Sequence, residues 1–479
     1  MPARKKDQRG LPVEADVLVR LNKGKEPGAK VTWVETLRWG ERQEVERYRL
    51  GNGLTVLLQV DHGAPVFSYQ TWFAVGSRHE RAGKTGLAHL FEHLMFNESE
   101  HLPKGEFDRK LEECGAESNA ATWVDWTYYH ENVPSDRLPL IVELEAERMA
   151  HLVLRDPQVT SEKEVVSNER RQRVEDDVDG AVAELLYRTA FERHGYGWPT
   201  IGWMEDIQNF STQDCEAFYR TYYAPNNATL VVVGDVDRER LLGLVQRRYG
   251  AMAAAEIPVE DVKPEPPQRQ ERVVEVTKPT EMEKIAVGYR GPALGDADHV
   301  ALSVLNEILF GGRASRLHRA LVQDAEVAVD CRGWVSTFRD PGLYDIGVTA
   351  RAGVKAEALL EILDRELGKV VQGPVDAGEL ERAKARLELG ALHGMESCDG
   401  RAEQIGFYEV VTGDPLGALG RLAALRRITV TDLLRVARRY LEREARSVVL
   451  VRASLGQDQD DAAGATPAED VTGERQVAP

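Results

Sequence analysis

The sequence predicts an α+β protein made of two homologous domains, each a mostly antiparallel β-sheet covered by helices. Three observations carry this. Apolar runs of strand length, bounded by turn residues, alternate with longer stretches free of Gly and Pro. A segment rich in Pro, Glu and Gln, with Pro258, Pro264, Pro266 and Pro267, interrupts the chain near its middle. Past it the pattern recurs. Ser211-Thr212-Gln213-Asp214 lies over Thr429-Val430-Thr431-Asp432, Tyr222 over Tyr440, and Leu230-Val231-Val232-Val233 over Val448-Val449-Leu450-Val451, all at a shift of 218 residues. Upstream, Leu94-Met95-Phe96 falls over Ile308-Leu309-Phe310 at a shift of 214, which sets Ser303, Asn306 and Glu307 over His89, Glu92 and His93. The expected division is an N-terminal extension over 1–43, a first domain over 44–255, a linker over 256–271, a second domain without metal ligands over 272–455, and a disordered tail over 456–479.

The first elements follow from turn chemistry. Arg47–Leu50 and Leu54–Val60 flank Asn52-Gly53 and read as a β-hairpin. Ala64–Val75 reads as a third strand, Phe107–Cys114 as a helix, and Ser118–Trp123 with Trp126–Val133 as paired strands. Ser135 is expected to cap a helix running to Leu152, and Ser161 to His194 reads as one long charged helix. Thr212–Tyr222 reads as a helix, Pro225-Asn226-Asn227 as a turn and Ala228–Val233 as a buried strand.

Composition bounds the function. A chain of 479 residues, 42% apolar, can bury more than one core. Its net charge of −18 argues against a nucleic-acid partner and suits basic or neutral peptides better. No run of eighteen apolar residues occurs, so no membrane span is expected. Cys114, Cys215, Cys331 and Cys398 are widely separated and read as buried free thiols. Arg4, Lys5, Lys6 and Arg9 are followed by no apolar stretch, so the expected compartment is the cytoplasm, or the periplasm if a signal has been trimmed.

The chemistry concentrates in Gly86-Leu87-Ala88-His89-Leu90-Phe91-Glu92-His93-Leu94-Met95-Phe96. On a helix, His89 and His93 stand one turn apart on one face, a geometry suited to two ligands of one ion. Glu92 lies close enough to that face to act on a metal-bound water without becoming a ligand. Zinc can bring such a water to a pKa of about 7, and a neighbouring carboxylate can then carry its proton to a leaving amine. H-x-x-E-H is the inverted form of the better-known zinc motif.

Taken together with Gly115-Ala116-Glu117-Ser118-Asn119-Ala120-Ala121-Thr122, the stretch Glu162 to Glu169, and Tyr222-Tyr223-Ala224-Pro225-Asn226-Asn227 leading to Gly234-Asp235, this motif resembles the pitrilysin, insulinase and mitochondrial processing peptidase family. The resemblance runs from about Tyr48 to Ala453. It implies half of a clamshell that closes on a peptide chamber. It implies one zinc per chain held by His89, His93 and Glu169, with Glu92 as general base and Glu162 supporting the ligands. It makes Ser118, Asn119, Ala120 and Ala121 an edge strand that pairs with extended substrate. Three protein ligands leave a fourth position open, as catalysis requires.

One departure stands out. Active members of the family supply an Arg and, seven residues later, a Tyr after a Gly-rich turn and an S-R-L segment. This chain keeps Gly311-Gly312-Arg313-Ala314-Ser315-Arg316-Leu317 but has Val322 and Val329 at those positions, with Arg319 nearby and no Tyr to match. Loss of an oxyanion donor costs a factor of about a hundred or more. The resemblance therefore implies a heterodimer whose homologous partner carries the Arg/Tyr pair, or otherwise a homodimer. The competing reading is a noncatalytic scaffold of the same fold, like the core subunits of respiratory complexes.

Overall fold

The computed structural model describes residues 15–41, 43–259, 264–373 and 375–454. The expected tail at 456–479 and the first fourteen residues lie outside them. Among the described residues, twelve strands form two mixed sheets. The first holds β1 (Val31–Trp39), β2 (Gln43–Leu50), β3 (Thr55–Val60), β4 (Val66–Phe73), β5 (Glu117–Thr122), β6 (Thr127–Pro134) and β7 (Ala228–Gly234), in the order β1-β2-β3-β7-β4-β6-β5. The second holds β8 (Arg272–Lys278), β9 (Lys284–Arg290), β10 (Ala328–Val335), β11 (Leu343–Ala350) and β12 (Arg446–Ala453), in the order β10-β11-β9-β12-β8.

Read from β3, the first sheet runs β3-β7-β4-β6-β5; read from β8, the second runs β8-β12-β9-β11-β10. Sequence order and neighbour order correspond strand for strand. Each sheet has one parallel pair, β3 with β7 and β8 with β12, and is otherwise antiparallel. The two domains are copies of one unit, and the hairpin β1-β2 is an addition to the first.

The repeated apolar strand explains how the copies are joined. In β7, Leu230 and Val232 face the core under the first domain's own helices, while Val231 and Val233 face the opposite side. There they meet Ala402, Ile405 and Val411 from helix Cys398–Thr412 of the second domain. In β12, Val448 and Leu450 face the second domain's own core, and Val449 and Val451 meet Val182, Leu186 and Ala190 from helix Val178–Ala190 of the first. Each domain thus lends one helix to the other's sheet, and the period-2 alternation of a strand feeds two apolar layers at once. Each Val or Leu so enclosed contributes about 1.5–3 kcal/mol. Polar contacts lock the same junction. Arg78 reaches Asp125 at 3.1 Å and Asp340 at 2.8 Å, and Tyr196 donates to Asp125 at 2.8 Å.

Several expectations change. The described part of the expected extension is not merely surface chain, because Ala15–Asn22 is a helix and β1 pairs along β2 with Val31 and Trp39 buried. A register shift between Trp33 and Glu35 breaks the alternation that would have marked this strand. The long charged helix is two helices, Asp156–Arg170 and Val178–Ala190, separated by a π turn over Arg171–Glu175; Asp177 caps the second by accepting from the Gly180 amide at 2.6 Å. Its redirection is what delivers Val182 and Leu186 to the other sheet. Ser135 does not cap: its hydroxyl donates to Asp235 at 2.9 Å, and helix Leu138–His151 starts after a 3-10 turn. All four cysteines are free, but only Cys215 and Cys331 are buried. No helix among the described residues is long and apolar enough to cross a membrane.

Candidate active site

Helix Leu87–Leu94 is set down with its chemistry aimed by packing. Gly86, at φ +96°, turns the chain into it, and a Cβ there would lie 2.5 Å from the Ile201 carbonyl oxygen. The amides of Gly86 and Ala88 donate to the Glu80 carboxylate at 2.8 and 2.7 Å, so a residue from the preceding loop caps the helix. Burial pushes the Glu80 carboxyl well above its ordinary range in spite of those bonds. Leu87, Ala88, Leu90, Phe91 and Leu94 are buried, and Tyr129 donates to the Phe91 carbonyl at 3.1 Å. The face left over carries His89, Glu92 and His93.

The two imidazole rings stand 5.0 Å apart, centre to centre. Helix Asp156–Arg170 brings Glu169 against both. Its Oε2 lies 3.3 Å from His93 Nε2 and 3.7 Å from His89 Nε2. One ligand atom from each of the three residues lies within 4.8 Å of the others. Two turns earlier on that helix, Glu162 Oε2 is 3.9 Å from His93 Nδ1, while its Oε1 accepts from Asn97 Nδ2 at 3.1 Å and lies 3.6 Å from Lys104 Nζ. His93 therefore stands between two carboxylates, and both histidines turn Nε2 to the common centre. Glu169 Oε1 is held by Arg173 Nε at 2.9 Å, from the π turn.

Charge follows position. Burial holds the His89 imidazole down at about 4, with Glu169 opposing and His93 and Arg173 reinforcing, so it is neutral at physiological pH. Burial also pushes His93 down, but its hydrogen bond with Glu169 and the surrounding carboxylate charge outweigh that and raise it. The same hydrogen bond holds Glu169 below the usual carboxylate range, against its own burial. Burial raises Glu92; contact with Thr122 and the charge of His93 oppose it, and Glu169 adds to it. Thr122 ends β5, so Glu92 stands where the helix meets that strand.

β5 is the outermost strand of the first sheet, paired with β6 on one side alone among the described residues. Ser118 and Asn119 are exposed, and Ala120 and Ala121 half-buried. Val322 and Val329 are apart from this centre in role: Val322 packs in part against the second domain's core, and Val329 is exposed on β10.

Comparison with known proteins agrees with this geometry. The family described as Insulinase (Peptidase family M16) matches residues 55–202, and that described as Peptidase M16 inactive domain matches residues 209–387. A zinc protease of Helicobacter pylori, PqqE, is 32% identical over 412 residues, covering 85% of this chain and 92% of its own. The chain belongs to the M16 peptidase family. The crystal structure of a protease from Helicobacter pylori superposes with a TM-score of 0.82 at 31% identity, covering 86% of this chain and 99% of that one. The beta subunit of the mitochondrial-processing peptidase of Lentinula edodes is 25% identical, covering 82% of this chain and 86% of its own.

The donor set of this M16 chain can be tested against a cation. Zinc at about 2.0–2.1 Å from nitrogen or oxygen in a tetrahedron sets its ligands about 3.3 Å apart. Of the carboxylate-to-imidazole separations, 3.3 Å lies at that spacing and 3.7 Å somewhat beyond it, and the three ligand atoms lie within 4.8 Å of one another. Two imidazoles and a carboxylate are also ligand types that zinc accepts, and they hold a negative charge that a divalent ion offsets. Sequence reasoning missed Glu80, Asn97 and Lys104, which no motif spacing ties to the histidines, and gave Thr122, the last residue of a quoted motif, no role of its own. Arg173 had a signal, its i,i+4 spacing from Glu169.

Proposed function

We propose that this chain is a zinc-dependent endopeptidase that hydrolyses peptides or unfolded segments, working with a homologous partner subunit. The observation that carries it is the meeting of His89, His93 and Glu169 from two helices, with Glu92 beside them at the foot of an open sheet edge. In this reading His89, His93 and Glu169 hold one zinc, which supplies Lewis acidity for activating water and polarising the scissile carbonyl. Glu92 takes a proton from the attacking water and returns it to the amide nitrogen as the C–N bond breaks and the C–O bond forms; burial, by raising its basicity, favours that exchange. Glu162 fixes the orientation of His93 through Nδ1, and Asn97 fixes Glu162. Substrate lies along β5, pairing with the backbone of Ser118, Asn119, Ala120 and Ala121; the small side chains let it come close.

Val322 and Val329 cannot donate to an oxyanion, which favours a partner that can. The fungal relative is itself a processing-peptidase subunit, which supports a two-chain arrangement. Assay of the purified chain on a quenched peptide, alone and with a candidate homologous subunit, tests this. The expected result is a gain of about a hundredfold or more with the partner, and its loss with Glu92→Gln while bound zinc is unchanged. Robust turnover by the lone chain overturns the partner requirement. Zinc below about a tenth of an equivalent at His89, His93 and Glu169 turns the reading to the scaffold.

A further inference from the structure

Away from the site described above, a second group of metal-type side chains converges: His101, Glu147 and His151, each offering a ligand atom within 4.8 Å of the others. Glu147 and His151 are one turn apart on helix Leu138–His151, so they share a face. His101 comes from the segment that follows the H-x-x-E-H helix, and the backbone fastens it there. The Glu100 amide donates to the His151 carbonyl at 2.9 Å, the Val153 amide to the Glu98 carbonyl at 3.1 Å, and Ser99 bridges Leu152. Glu147 Oε1 is held by the Ser99 hydroxyl at 2.7 Å and the His101 amide at 3.1 Å, while His101 Nδ1 lies 3.0 and 3.1 Å from the two carboxylate oxygens. Oε2 has the imidazole as its partner. The His101 and His151 rings are edge to face at 5.3 Å, and Glu100 Oε2 stands 3.3 Å from His151 Nδ1, a fourth donor at the rim. The group opens on a surface hollow of about 670 Å³.

We propose that His101, Glu147 and His151 form a second divalent-cation site of the zinc class, with Glu100 at its edge, that staples the segment after the H-x-x-E-H helix to helix Leu138–His151. Two imidazoles and a carboxylate select a borderline first-row cation over Ca²⁺ or Mg²⁺, which take oxygen ligands. Glu147 is already positioned by the Ser99 hydroxyl and the His101 amide on its Oε1, so the cost of ordering falls mainly on the exposed His101 side chain. The stapled segment also carries Asn97 and Lys104, the two residues that hold Glu162. Occupancy of the second site thus restrains the side chain behind His93, with a separate set of ligands.

Zinc titration of the chelator-stripped full chain, read by isothermal calorimetry and by metal analysis after gel filtration, tests the proposal. The His89→Ala/His93→Ala chain is expected to keep one zinc, and its melting temperature to rise on zinc addition. Adding His101→Ala and His151→Ala should abolish both, and His101→Ala alone should weaken that zinc by more than the ~10–100-fold that outer-shell changes cost. The proposal is overturned if the His89→Ala/His93→Ala chain binds no zinc, or if its zinc survives removal of His101 and His151. The His101→Ala/His151→Ala chain, which keeps the H-x-x-E-H group, reports the first site independently, so failure at one site is not mistaken for failure at the other.

Discussion

Each domain places a buried histidine at its central helix, and the two are treated in opposite ways. His299, on helix Ala297–Phe310, is fully enclosed and satisfied at both nitrogens: Nε2 lies 3.0 Å from the Ser336 carbonyl oxygen, and Nδ1 accepts from Arg421 at 3.0 Å. His89 is also buried, though less completely; among the described residues its Nδ1 has no hydrogen-bond partner, and its Nε2 faces Glu169. Burial holds both imidazoles at about 4. The shift alone therefore does not mark function; what separates the two is whether the neutral nitrogen already has a donor. A second contrast follows the repeat. Glu307, the counterpart of His93, pairs with Arg386 on helix Ala377–His393, whereas His93 pairs with Glu169. The second domain closes its carboxylate with a cation from the chain; in the first, Arg173 takes one oxygen of Glu169 and leaves the other, with two imidazoles, to a cation from solution.

The sharpest break of this comparison comes from matched substitutions. Glu169→Gln, made in the His101→Ala/His151→Ala chain so that a single site is counted, is expected to lower bound zinc from one equivalent to below about a tenth and to abolish peptidase activity with it. Glu307→Gln in the same background is expected to leave both unchanged. Metal analysis with a quenched-peptide assay checks the pair. Equal loss of zinc in the two variants would mean that the domains do not divide the labour in this way.

What the sequence made legible follows the same division. The H-x-x-E-H face needs only helical spacing, and the strand Leu230–Val233 needs only the repeat, so both could be read locally. Glu169 lies 76 residues past His93, and nothing local ties the two; the resemblance to a family placed it, and the fold brings its Oε2 to 3.3 Å. Helix Val178–Ala190 was hidden because its apolar residues serve the other domain's sheet, so its charged flanks read as one solvated helix with Ser161–Arg170. Strand β1 was hidden by its own register shift. Glu80 and Asn97 were not legible, because caps and supports reached across loops leave no period in the sequence.

A second test uses pH. His299 stays neutral in the folded chain down to about 4, whereas an unfolded chain takes up the proton near 6.5. As pH falls from about 6.5 to 4, the unfolded state binds a proton that the folded state refuses, so stability is lost, by up to about 3 kcal/mol. Asp345, lifted to about 6 by burial, works the other way, gaining stability as pH falls through that value. Comparing wild type with His299→Gln in urea melts between pH 7 and pH 5, both with zinc present, isolates the histidine. The variant is expected to start less stable and to lose less on acidification. His89, held neutral in the same way, contributes to the slope of both proteins alike and so cancels in the comparison. An unchanged slope in His299→Gln would place the acid sensitivity elsewhere and remove the parallel between the two histidines.

The smallest effect tests the second contrast. Arg386 is 55% exposed at its side chain and Glu307 16%, so the pair is neither deeply buried nor a free surface contact. Arg386→Met removes the cation while keeping most of the apolar stem against its neighbours, leaving Glu307 to water. The expected cost is about 1 kcal/mol, the upper range for a pair still reached by solvent, with zinc content and turnover unchanged. Replacing both residues, Glu307→Gln with Arg386→Met, should recover most of that loss, because the penalty of the single change is an unpaired charge rather than a missing contact. Additive losses in the double variant would show instead that the two side chains hold the helices apart from each other, and the second domain's pair would then be packing that happens to be charged.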